Sequence, residues 1–549
     1  MGSPRVALAG LVAFVLGVGA VPAPAAVYRV GPSQPFATPS DVHWESLNAG
    51  DSVYIFARPT AYHDKWVICR VGTAAAPIVV RGVPDANGVL PVIDGADAVT
   101  RSALNYWNEE RGIIKIGGAN TPPDAMPAYV SVEQLDIRGA HTPNTFTGRN
   151  GLTSYAANAS AIYIEKGQHV TIRGCHLSGC GNGLFCASET SDLLVEGNWI
   201  EGNGNVGSIY EHNNYTEALG ITFQYNRFGP LLSGAGGNNL KDRSAGTVIR
   251  YNWIEGGNRQ LDLVDSDFPT EYGDPRYHQT FVYGNVLLEP GDDGNSQIAH
   301  YGGDSGNTAT YRQGTLYFHF NTVVSRRTGN TTLLRLSSNG ESADVRDNVL
   351  YVTATGGHLA LLDQTGTLDA TRNWMKTGWA ASFSGGTVSD HGQITGTSPG
   401  FTDQAGNDFT LIAGSACLDT AVALAAACMP DHVPVREYVK DQSSRPRASD
   451  GKPDLGAFER VGVTGVPVSG GRRACLVAAP NPSRTFEITL RDGVAGAVPL
   501  EIVDVRGGVV ARVAPVTAGR WTWTPARGLA GGVYFARLGA LTVRMSFVR

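Results

Sequence analysis

A short phrase that ends in asparagine recurs along the middle of the chain and constrains the fold more than any other feature. Alternating residues precede the Asn and an apolar pair follows it, as in LLVEGN-WI at 193–200 and TVIRYN-WI at 247–254. Steps of roughly 23 to 36 residues separate the copies, so each unit needs a neighbour to bury its apolar face. The first copy carries Cys175 at this position, and the later copies carry Asn198, Asn226, Asn252, Asn285, Asn321, Asn348 and Asn373.

We interpret each unit as one coil of a right-handed parallel β-helix, an all-β solenoid. Val170 and Ile172 alternate with Thr171 and Arg173, so that one set of side chains faces inward. Between the copies lie short alternating runs without a helical period. In a stacked turn, the recurring Asn would adopt left-handed backbone and hydrogen-bond the same group one coil away. A β-propeller is the alternative, but its repeats of about 40 to 50 residues are longer.

Composition agrees with a solenoid and gives little indication of partners. The 549 residues include 69 Gly, and only 17% are charged, which is typical of many turns and few exposed helices. A formal net charge of −6 gives no indication of nucleic-acid binding.

The N-terminal residues 1–26 have the pattern of a secretory signal peptide. Arg5 precedes an apolar run at 6–18, and a small-residue cleavage zone follows at 23–26. The apolar run is short for a membrane span, and no later stretch is long enough to cross a bilayer. The sequence therefore predicts a secreted or cell-surface bacterial protein, which we expect to be a monomer.

The seven cysteines have two expected uses. Export permits disulfides, and Cys417 and Cys428 lie close enough in one loop to form one. Cys175, Cys180 and Cys186 are expected to fill the interior of the first coils, as small buried residues. Paired CxxC motifs of a zinc site are absent from the sequence.

The chain divides into a β-helix at 27–460, a linker at 461–474 and a small β domain at 475–549. The linker is rich in Gly and Val, and short strands with turn signals follow it. The opening segment at 28–56 and the closing segment at 441–460 resemble the ends of many secreted β-helix proteins. The motifs PNP, DVRG and GVYF after residue 479 resemble the immunoglobulin-like sorting domain of type IX secretion cargo. That resemblance implies outer-membrane secretion machinery as a partner.

Ionisable residues gather in the strand that follows each Asn phrase in the middle coils. Side chains stacked a few ångströms apart perturb one another's pKa values, as catalytic groups require. A stacked face also suits a linear polymer, because equivalent positions recur along its axis. The candidates are Glu211, His212, Lys241, Asp242, Arg243, Asp262, Asp265, Asp267, His300 and Arg335.

The segment NNLKDRSAGTVIRYNWIEGGNRQLDLVDS at 238–266 resembles the catalytic core of β-helix polysaccharide lyases of the alginate lyase and chondroitinase B type. The resemblance implies a uronic-acid polymer as substrate. It assigns Lys241 to the lysine that removes the proton beside the uronate carboxylate. The family's arginine falls at Val264 or Asp265, so Arg243 or Arg259 would have to replace it.

β-Elimination requires a base, a cation beside the carboxylate and an acid for the leaving oxygen. We expect Arg243 to lower the pKa of Lys241 to about 7–8, which would make it a base. Arg243, Arg259 or a Ca²⁺ ion would neutralise the carboxylate. His300 would assist proton transfer. The predicted calcium ligands are Glu211, Asp242 and Asp265, and the predicted substrate-binding residues are Glu211, His212, Asp262 and Arg335.

Two other functions remain open at this point. A glycoside hydrolase or epimerase would use two of Asp242, Asp262 and Asp265 as its carboxylate pair. A non-catalytic surface protein or adhesin would only hold a glycan in the groove. The run 241–243 would then be an ion-pair ladder between coils, and Asp265 would cap a turn.

Overall fold

In the computed structural model of the chain, the described residues are 25–460, 475–479, 481, 483–491, 499–504, 508–516, 519–538 and 541–547. The predicted linker lies outside them, as does the predicted signal peptide apart from its last two residues. The chain forms two compact units, Met1–Gly462 and Val463–Arg549. No helix in the described part of the chain is long and apolar enough to span a membrane.

The first unit is a right-handed parallel β-helix, as the sequence predicts, whose coils each give one strand to three parallel faces. Face 1 comprises Val27–Val30, Ser52–Phe56, Ile78–Val83, Val130–Glu133, Thr171–Arg173, the end of Asn182–Glu196, Leu219–Gln224, Ala245–Arg250, Gln279–Tyr283, Thr315–His319, Ser342–Arg346, Thr367–Thr371 and Thr387–His391. Face 2 comprises Val92–Asp94, Asp136–Arg138, His176–Ser178, Trp199–Glu201, Arg227–Phe228, Trp253–Glu255, Val286–Glu289, Thr322–Ser325, Val349–Val352, Trp374–Lys376 and Ile394–Gly396.

Face 3 carries the ionisable residues singled out from the sequence. It comprises Asp64–Ile68, Gly112–Ile116, Ser160–Gln168, the start of Asn182–Glu196, Asn214–Thr216, Leu240–Asp242, Leu261–Leu263, Gln297–Tyr301, Thr331–Leu336, Leu359–Gln364 and Ala380–Ser382. Short strands outside the faces are Ala98–Thr100, Asn105–Tyr106, Ala119–Thr121, Thr145–Gly148, Gly151–Ser154, Phe401–Asp403, Asp408–Leu411, Arg436–Val439 and Ser443–Pro446. The helical turns are Pro39–Asp41, Trp44–Ser46, Glu109–Arg111, Pro269–Tyr272, Pro275–His278 and Ala426–Cys428.

The interior is a stack of apolar columns produced by the alternation of each strand. Burying each large apolar side chain contributes about 1.5–3 kcal/mol relative to exposure. Along face 1, one in-register column is fully buried from coil to coil: Val132, Ile172, Val195, Phe223, Ile249, Val282, Phe318, Val345 and Ala370.

The recurring Asn residues form a buried ladder at the corner between faces 1 and 2. Asn252 donates from its backbone N (2.9 Å) and its Nδ2 (3.0 Å) to Oδ1 of Asn285, one coil away. The same pair of bonds joins every neighbouring rung from Asn198 to Asn373, and Cys175 donates its backbone N to the first Asn. The predicted coil-to-coil hydrogen bond is therefore confirmed.

The predicted left-handed backbone at the Asn itself is wrong by one residue. The positive φ belongs to the residue before each rung, where the chain turns the corner so that the Asn side chain enters the interior. Gly is the easiest residue there, but Tyr and Phe also occupy it. These positions are Gly174, Gly197, Tyr225, Tyr251, Gly284, Phe320, Asp347 and Arg372.

The cysteines behave as apolar fillers, and the predicted disulfide is wrong. Cys417 and Cys428 are both buried and unbonded. Cys417 packs in the cluster with Phe401 and Leu455, whereas Cys428 packs with Tyr251 in another. Because the two thiols fill separate clusters, they do not meet. Cys175, Cys180 and Cys186 are free and buried in the solenoid interior, as expected.

The second unit consists of two antiparallel sheets around one core, in agreement with the predicted small β domain. One sheet joins Cys475–Ala479, Phe486–Arg491 and Arg520–Trp523, and the other joins Val509–Val513, Leu500–Asp504, Gly532–Leu538 and Leu541–Phe547. Phe486, Ile488, Ile502, Trp521 and Met545 are almost fully buried between them.

Candidate active site

The outward positions of face 3 form one continuous column of polar and aromatic side chains. In register along the axis stand Tyr163, Phe185, Tyr215, Lys241, Asp262, His300, Arg335 and Asp363. The alternate positions on the same strands, such as Leu240, Leu261 and Ala299, are buried inside the solenoid. The repeat thus brings residues distant in sequence to within a few rungs of one another.

A cleft of about 610 Å³ opens over the middle of this column. Loops before and after the strands of face 3 form its walls. It is lined by Ile209, Tyr210, His212, Tyr215, Asn238, Lys241, Arg243, Asn258, Arg259, Asp262, Asp267, His300, Gly303, Asp304, Ser305, Gly306, Tyr311 and Arg335.

Asp262 is the buried anion at the floor of the cleft, with 2% of its surface exposed. Its Oδ2 accepts from Nζ of Lys241 at 2.7 Å, and its Oδ1 lies 2.9 Å from Nδ1 of His300. Burial alone would raise the pKa of Asp262, but the His300 hydrogen bond and the Lys241 charge hold it well below its usual value. Nε2 of His300 contacts Oγ of Ser337 at 2.8 Å, so both ring nitrogens are occupied.

Lys241 lies between two carboxylates, and the expected lowering of its pKa is wrong. Besides Asp262, its Nζ contacts Oδ2 of Asp304 at 2.5 Å. Burial alone would lower the pKa of Lys241, but the carboxylates of Asp262 and Asp304 raise it above its usual value. The nearby charge of Arg243, from which the lowering was predicted, is the smaller effect.

Arg243 connects Tyr215 to the loop that carries Asp304. Its Nε donates to Oη of Tyr215 at 3.0 Å, and its second terminal nitrogen donates to Oδ1 of Asp304 at 2.9 Å. Its other terminal nitrogen donates to the carbonyl of Asp265. The guanidinium is therefore held in place on three sides and directs the phenol hydroxyl into the cleft.

The carboxylate of Asp265 is an anchor for the cleft wall. It is fully buried and accepts from the backbone N of Asp304 at 2.8 Å and from Oγ1 of Thr310 at 2.9 Å. Ser305 donates to it as well, from both its backbone and its hydroxyl. Asp265 thus fixes the loop that supplies Asp304, and its oxygens are already used.

Asp242 faces the interior of the solenoid rather than the cleft. Its carboxylate accepts from Oγ1 of Thr216 at 2.8 Å, Oγ of Ser244 at 2.7 Å and Oγ1 of Thr247 at 2.6 Å. The guanidinium of Arg312, which is also fully buried, lies 3.7 Å away. Strand alternation explains the correction, because Lys241 points outward and its neighbour must point inward.

The predicted calcium ligands do not fit a metal site. Asp242 lies inside the solenoid, Asp265 is saturated by donors, and Glu211 lies outside the cleft lining. Within the described residues, no three His, Cys, Asp or Glu side chains come together as a metal-binding group. Glu211 is 6% exposed, and its Oε2 has no hydrogen-bond partner among the described residues. It is therefore not placed to contact a substrate in the cleft either.

Arg259 and Arg335 are the two cations of the cleft without a carboxylate partner. Arg259 is 9% exposed and donates only to the neutral Oε1 of Gln297, at 3.1 and 2.7 Å. Burial lowers the pKa of Arg259, the charge of Asp262 partly opposes this, and the charge of Arg335 lowers the pKa further. The side chain of Arg335 makes no hydrogen bond or ion pair with any residue that the structure describes. This end of the cleft therefore carries unneutralised positive charge.

His212 lines the opposite part of the cleft as a neutral imidazole. Its Nδ1 accepts from the backbone N of Asn238 at 2.9 Å, which places the ring proton on Nε2. Burial lowers the pKa of His212 to about 3, with a further contribution from the charge of Lys241. His212 is therefore a hydrogen-bond donor and too weak a base for proton abstraction at neutral pH.

Sequence reasoning missed Tyr215, Asp304 and Tyr311. For Tyr215 a signal existed: the strand of its coil is Asn214–Thr216, and the residue in register with Lys241 is Tyr215. The strand had been expected a few residues earlier, around Glu211 and His212. Asp304 and Tyr311 lie in a Gly-rich loop, and no periodic signal indicates which way such a loop folds.

A comparison with protein-family models agrees with the fold. A family model described as "Right handed beta helix region" matches residues 132–272, which include Lys241 and Asp262. A search of curated proteins found no match. Similar solved structures include an alginate lyase from Paenibacillus sp. str. FPU-7, with 11% identity over 64% of this chain and 95% of that chain and a TM-score of 0.31. A lacto-N-biosidase from Eubacterium ramulus has 12% identity over 67% of each chain and a TM-score of 0.38. The DFA-IIIase from Arthrobacter chlorophenolicus A6 has 12% identity over 68% of this chain and 81% of that chain, with a TM-score of 0.33.

Proposed function

We propose that the protein is an exported carbohydrate-active enzyme that binds an acidic polysaccharide in the cleft and cleaves it by β-elimination. The observation that carries the proposal is the unpaired cationic end of the cleft, formed by Arg259 and Arg335. Arg335 belongs to the same column as Lys241 and Tyr215, and the side chains of all three line the cleft.

The unpaired guanidinium groups favour an anionic sugar. A buried cation without an anionic partner destabilises the free protein, and a carboxylate placed between Arg259 and Arg335 would remove that cost. Arginine binds carboxylates through two parallel hydrogen bonds, which also fixes the orientation of the sugar ring. A polymer of uronic acids supplies such a carboxylate on each sugar, so one sugar can bind here while another lies beside Tyr215 and Lys241.

In the proposed reaction a base removes the C5 proton of the uronate. The electron pair left on C5 forms the C4–C5 double bond, the C4–O bond breaks, and the departing oxygen takes a proton. We assign stabilisation of the negative charge on the reacting carboxylate to Arg243, which contacts Tyr215 and Asp304, whereas Arg259 and Arg335 bind the carboxylate of a sugar further along the column.

The contacts of the cleft support an assignment of the two proton transfers to two different residues. We assign proton removal to Oη of Tyr215 in its phenolate form. The hydroxyl first releases its own proton to water, the hydrogen bond from Arg243 stabilises the phenolate, and the phenolate then takes the C5 proton. We assign protonation of the leaving oxygen to Lys241. An ammonium has three N–H groups, and Asp262 and Asp304 accept two of them, so one remains for the substrate.

The test is a product assay over alginate, polygalacturonate and glycosaminoglycans, with and without a chelator. β-Elimination yields an unsaturated sugar that absorbs near the ultraviolet edge. Tyr215→Phe should lower kcat by about 10²–10⁴-fold with a smaller change in KM, because the hydroxyl acts in the transition state. Arg335→Gln should mainly raise KM, since it weakens carboxylate binding.

Arg173→Gln is the matched control for these variants. Arg173 is a half-exposed cation on face 1, paired with Glu196 at 3.0 Å and away from the cleft. Its removal should leave both constants unchanged. An unaltered kcat in folded Tyr215→Phe would refute the assignment of the base. The absence of any unsaturated product across the panel would refute the lyase.

One observation favours a glycoside hydrolase as the second candidate. Asp262 and Asp304 each contact Nζ of Lys241, at 2.7 and 2.5 Å, so the two contacting oxygens lie at most about 5 Å apart, which is closer to the spacing of retaining than of inverting glycosidases. The depressed pKa of Asp262 and its burial argue against a role as acid. New reducing ends without ultraviolet absorption, abolished by Asp304→Asn, would select the hydrolase.

A further inference from the structure

The outward column of face 3 continues past the cleft toward the N-terminus, where it becomes aromatic. Tyr163, Phe185 and Tyr215 occupy successive rungs, with ring centroids 5.3 Å apart in each neighbouring pair. The last of these rings lines the cleft. An unbroken row of rings therefore leads from the proposed catalytic residues to the earlier coils.

Besides Arg259 and Arg335, a third cation without an ion pair to a described residue, Arg111, lies beside this row. The guanidinium carbon of Arg111 is 4.7 Å from the ring centroid of Tyr163 and 4.7 Å from that of Phe185. Its only side-chain hydrogen bond with a described residue is a long one, at 3.4 Å, from a terminal nitrogen to Oη of Tyr163. Its Nε is buried without a partner, and Arg111 forms no ion pair within the described ranges.

The carboxylate of Glu165, which lies close to this row, is already neutralised. Glu165 pairs with Nζ of Lys115 at 2.6 Å and also accepts from Asn108 at 3.2 Å and from the indole of Trp107. Arg111 therefore does not serve as its counterion. A guanidinium held against two rings can still donate from its terminal nitrogens to an anion, at little further cost in side-chain entropy.

We propose that Arg111, stacked on Tyr163 and Phe185, is a remote subsite for a second carboxylate of the same acidic polysaccharide. The inference rests on the proposed function, and it adds that the polymer lies along face 3. From Phe185 to Arg335 there are five rung steps, which amount to about 24 Å. A chain of several uronate residues spans this length, whereas a disaccharide bound at Arg335 does not reach Arg111.

The experiment measures the affinity of the full-length protein for size-fractionated oligouronates from alginate and polygalacturonate. Arg111→Gln should raise the Kd of long oligomers about ten-fold, the usual loss for one charge-assisted contact, and leave the Kd of disaccharides unchanged. Arg111→Lys should recover part of the loss. Arg138→Gln is the matched control, because Arg138 lies on face 2 of the coil that contains Tyr163 and is exposed beside Asp94.

Arg111→Met provides a second variant that keeps contact with the rings if Arg111→Gln unfolds, and thermal unfolding checks both. Unchanged affinity of the folded variants for long oligomers overturns the subsite and leaves the lyase standing. If Arg111→Gln weakens the binding of long oligomers but not of disaccharides, and the wild-type protein forms no unsaturated product, the subsite is supported and the lyase is overturned. If the wild-type protein binds no acidic oligomer, both proposals fall.

Discussion

At the scale of single residues, the buried carboxylate of Asp262 organises the floor of the cleft. It holds Lys241 on one oxygen and His300 on the other, and both partners are at least nine-tenths buried. Such a charge is tolerated only while its partners remain, because an unpaired buried anion has lost its hydration. The residue that was expected to bind substrate is thus placed to orient two others.

We expect Lys241→Met to destabilise the protein by about 3–5 kcal/mol, since it leaves Asp262 buried without its ammonium. Denaturant unfolding followed by circular dichroism measures the change. Lys166→Met is the matched control: Lys166 pairs with Asp124, whose side chain is 42% exposed, and such a surface pair contributes less than about 1 kcal/mol. Equal losses in the two variants would show that Asp262 does not depend on Lys241.

Glu217 gives the protein a predictable dependence of stability on pH. Burial raises the pKa of Glu217 from 4.5 to about 7. The folded state therefore binds more protons than the unfolded state between these values, and stability falls as pH rises through this window. Glu217→Gln keeps an acceptor for Ser266 and Asp267 but cannot ionise.

We expect Glu217→Gln to be more stable than the wild-type protein above pH 7, by about 3 kcal/mol at most. The difference should vanish below about pH 4.5, where the Glu217 carboxyl is protonated in both the folded and the unfolded state. Denaturant unfolding at a series of pH values measures it. The exposed Glu189→Gln should show no such trend. A difference that grows toward acid pH would contradict the sign.

At the scale of the secondary-structure elements, the Asn ladder joins the coils through buried amides. Asn285 accepts two hydrogen bonds from Asn252 and donates to the carbonyl of Ile249 at 2.9 Å and to Oδ1 of Asn321 at 3.0 Å. Removing this side chain leaves the backbone N–H of Asn252 buried without a partner. Unsatisfied buried donors cost about 1–3 kcal/mol each.

Asn285→Ala should therefore lower the free energy of unfolding by about 2–4 kcal/mol. Asn87→Ala is the control, because Asn87 is an exposed loop residue, and we expect less than about 0.5 kcal/mol. Thermal or denaturant unfolding compares the two. A loss in Asn285→Ala no larger than in the control would mean that neighbouring amides or water replace the missing side chain.

The sequence predicted these elements where they repeat and failed where they do not. The Asn phrases located the strands of faces 1 and 2, because period and alternation are properties of local sequence. In the coil of Tyr215, a loop of variable length precedes the strand of face 3. A shift of a few residues in that loop moved the expected outward positions to Glu211 and His212 and hid Tyr215.

At the scale of the whole molecule, each of the two units has its own core. The buried clusters of the β-helix draw on residues between Val30 and Phe458, and that of the C-terminal unit draws on residues from Leu476 to Met545. A chain that ends at Arg460 should therefore keep the main unfolding transition and the activity of the full protein. Differential scanning calorimetry of both chains tests this, and a drop of several degrees in that transition would contradict it.

The site was predictable only in part, because charge depends on three-dimensional neighbours. Strand register placed Lys241, Asp262, His300 and Arg335 in one column, as the repeat had suggested. The state of Lys241 depends on Asp304, which arrives from a loop more than sixty residues later in the chain. A spacing in sequence carries no record of such a contact, so the expected shift in the pKa of Lys241 had the wrong direction.

The uneven spacing of the Asn ladder has a mechanical consequence. Successive rungs are separated by 28, 26, 33, 36, 27 and 25 residues. A force that pulls the two ends of the solenoid apart would detach one coil at a time, since each coil is bonded only to its neighbours. Every detachment would release about 80 to 130 Å of extended chain. The succession of these lengths would report the order in which the coils unfold.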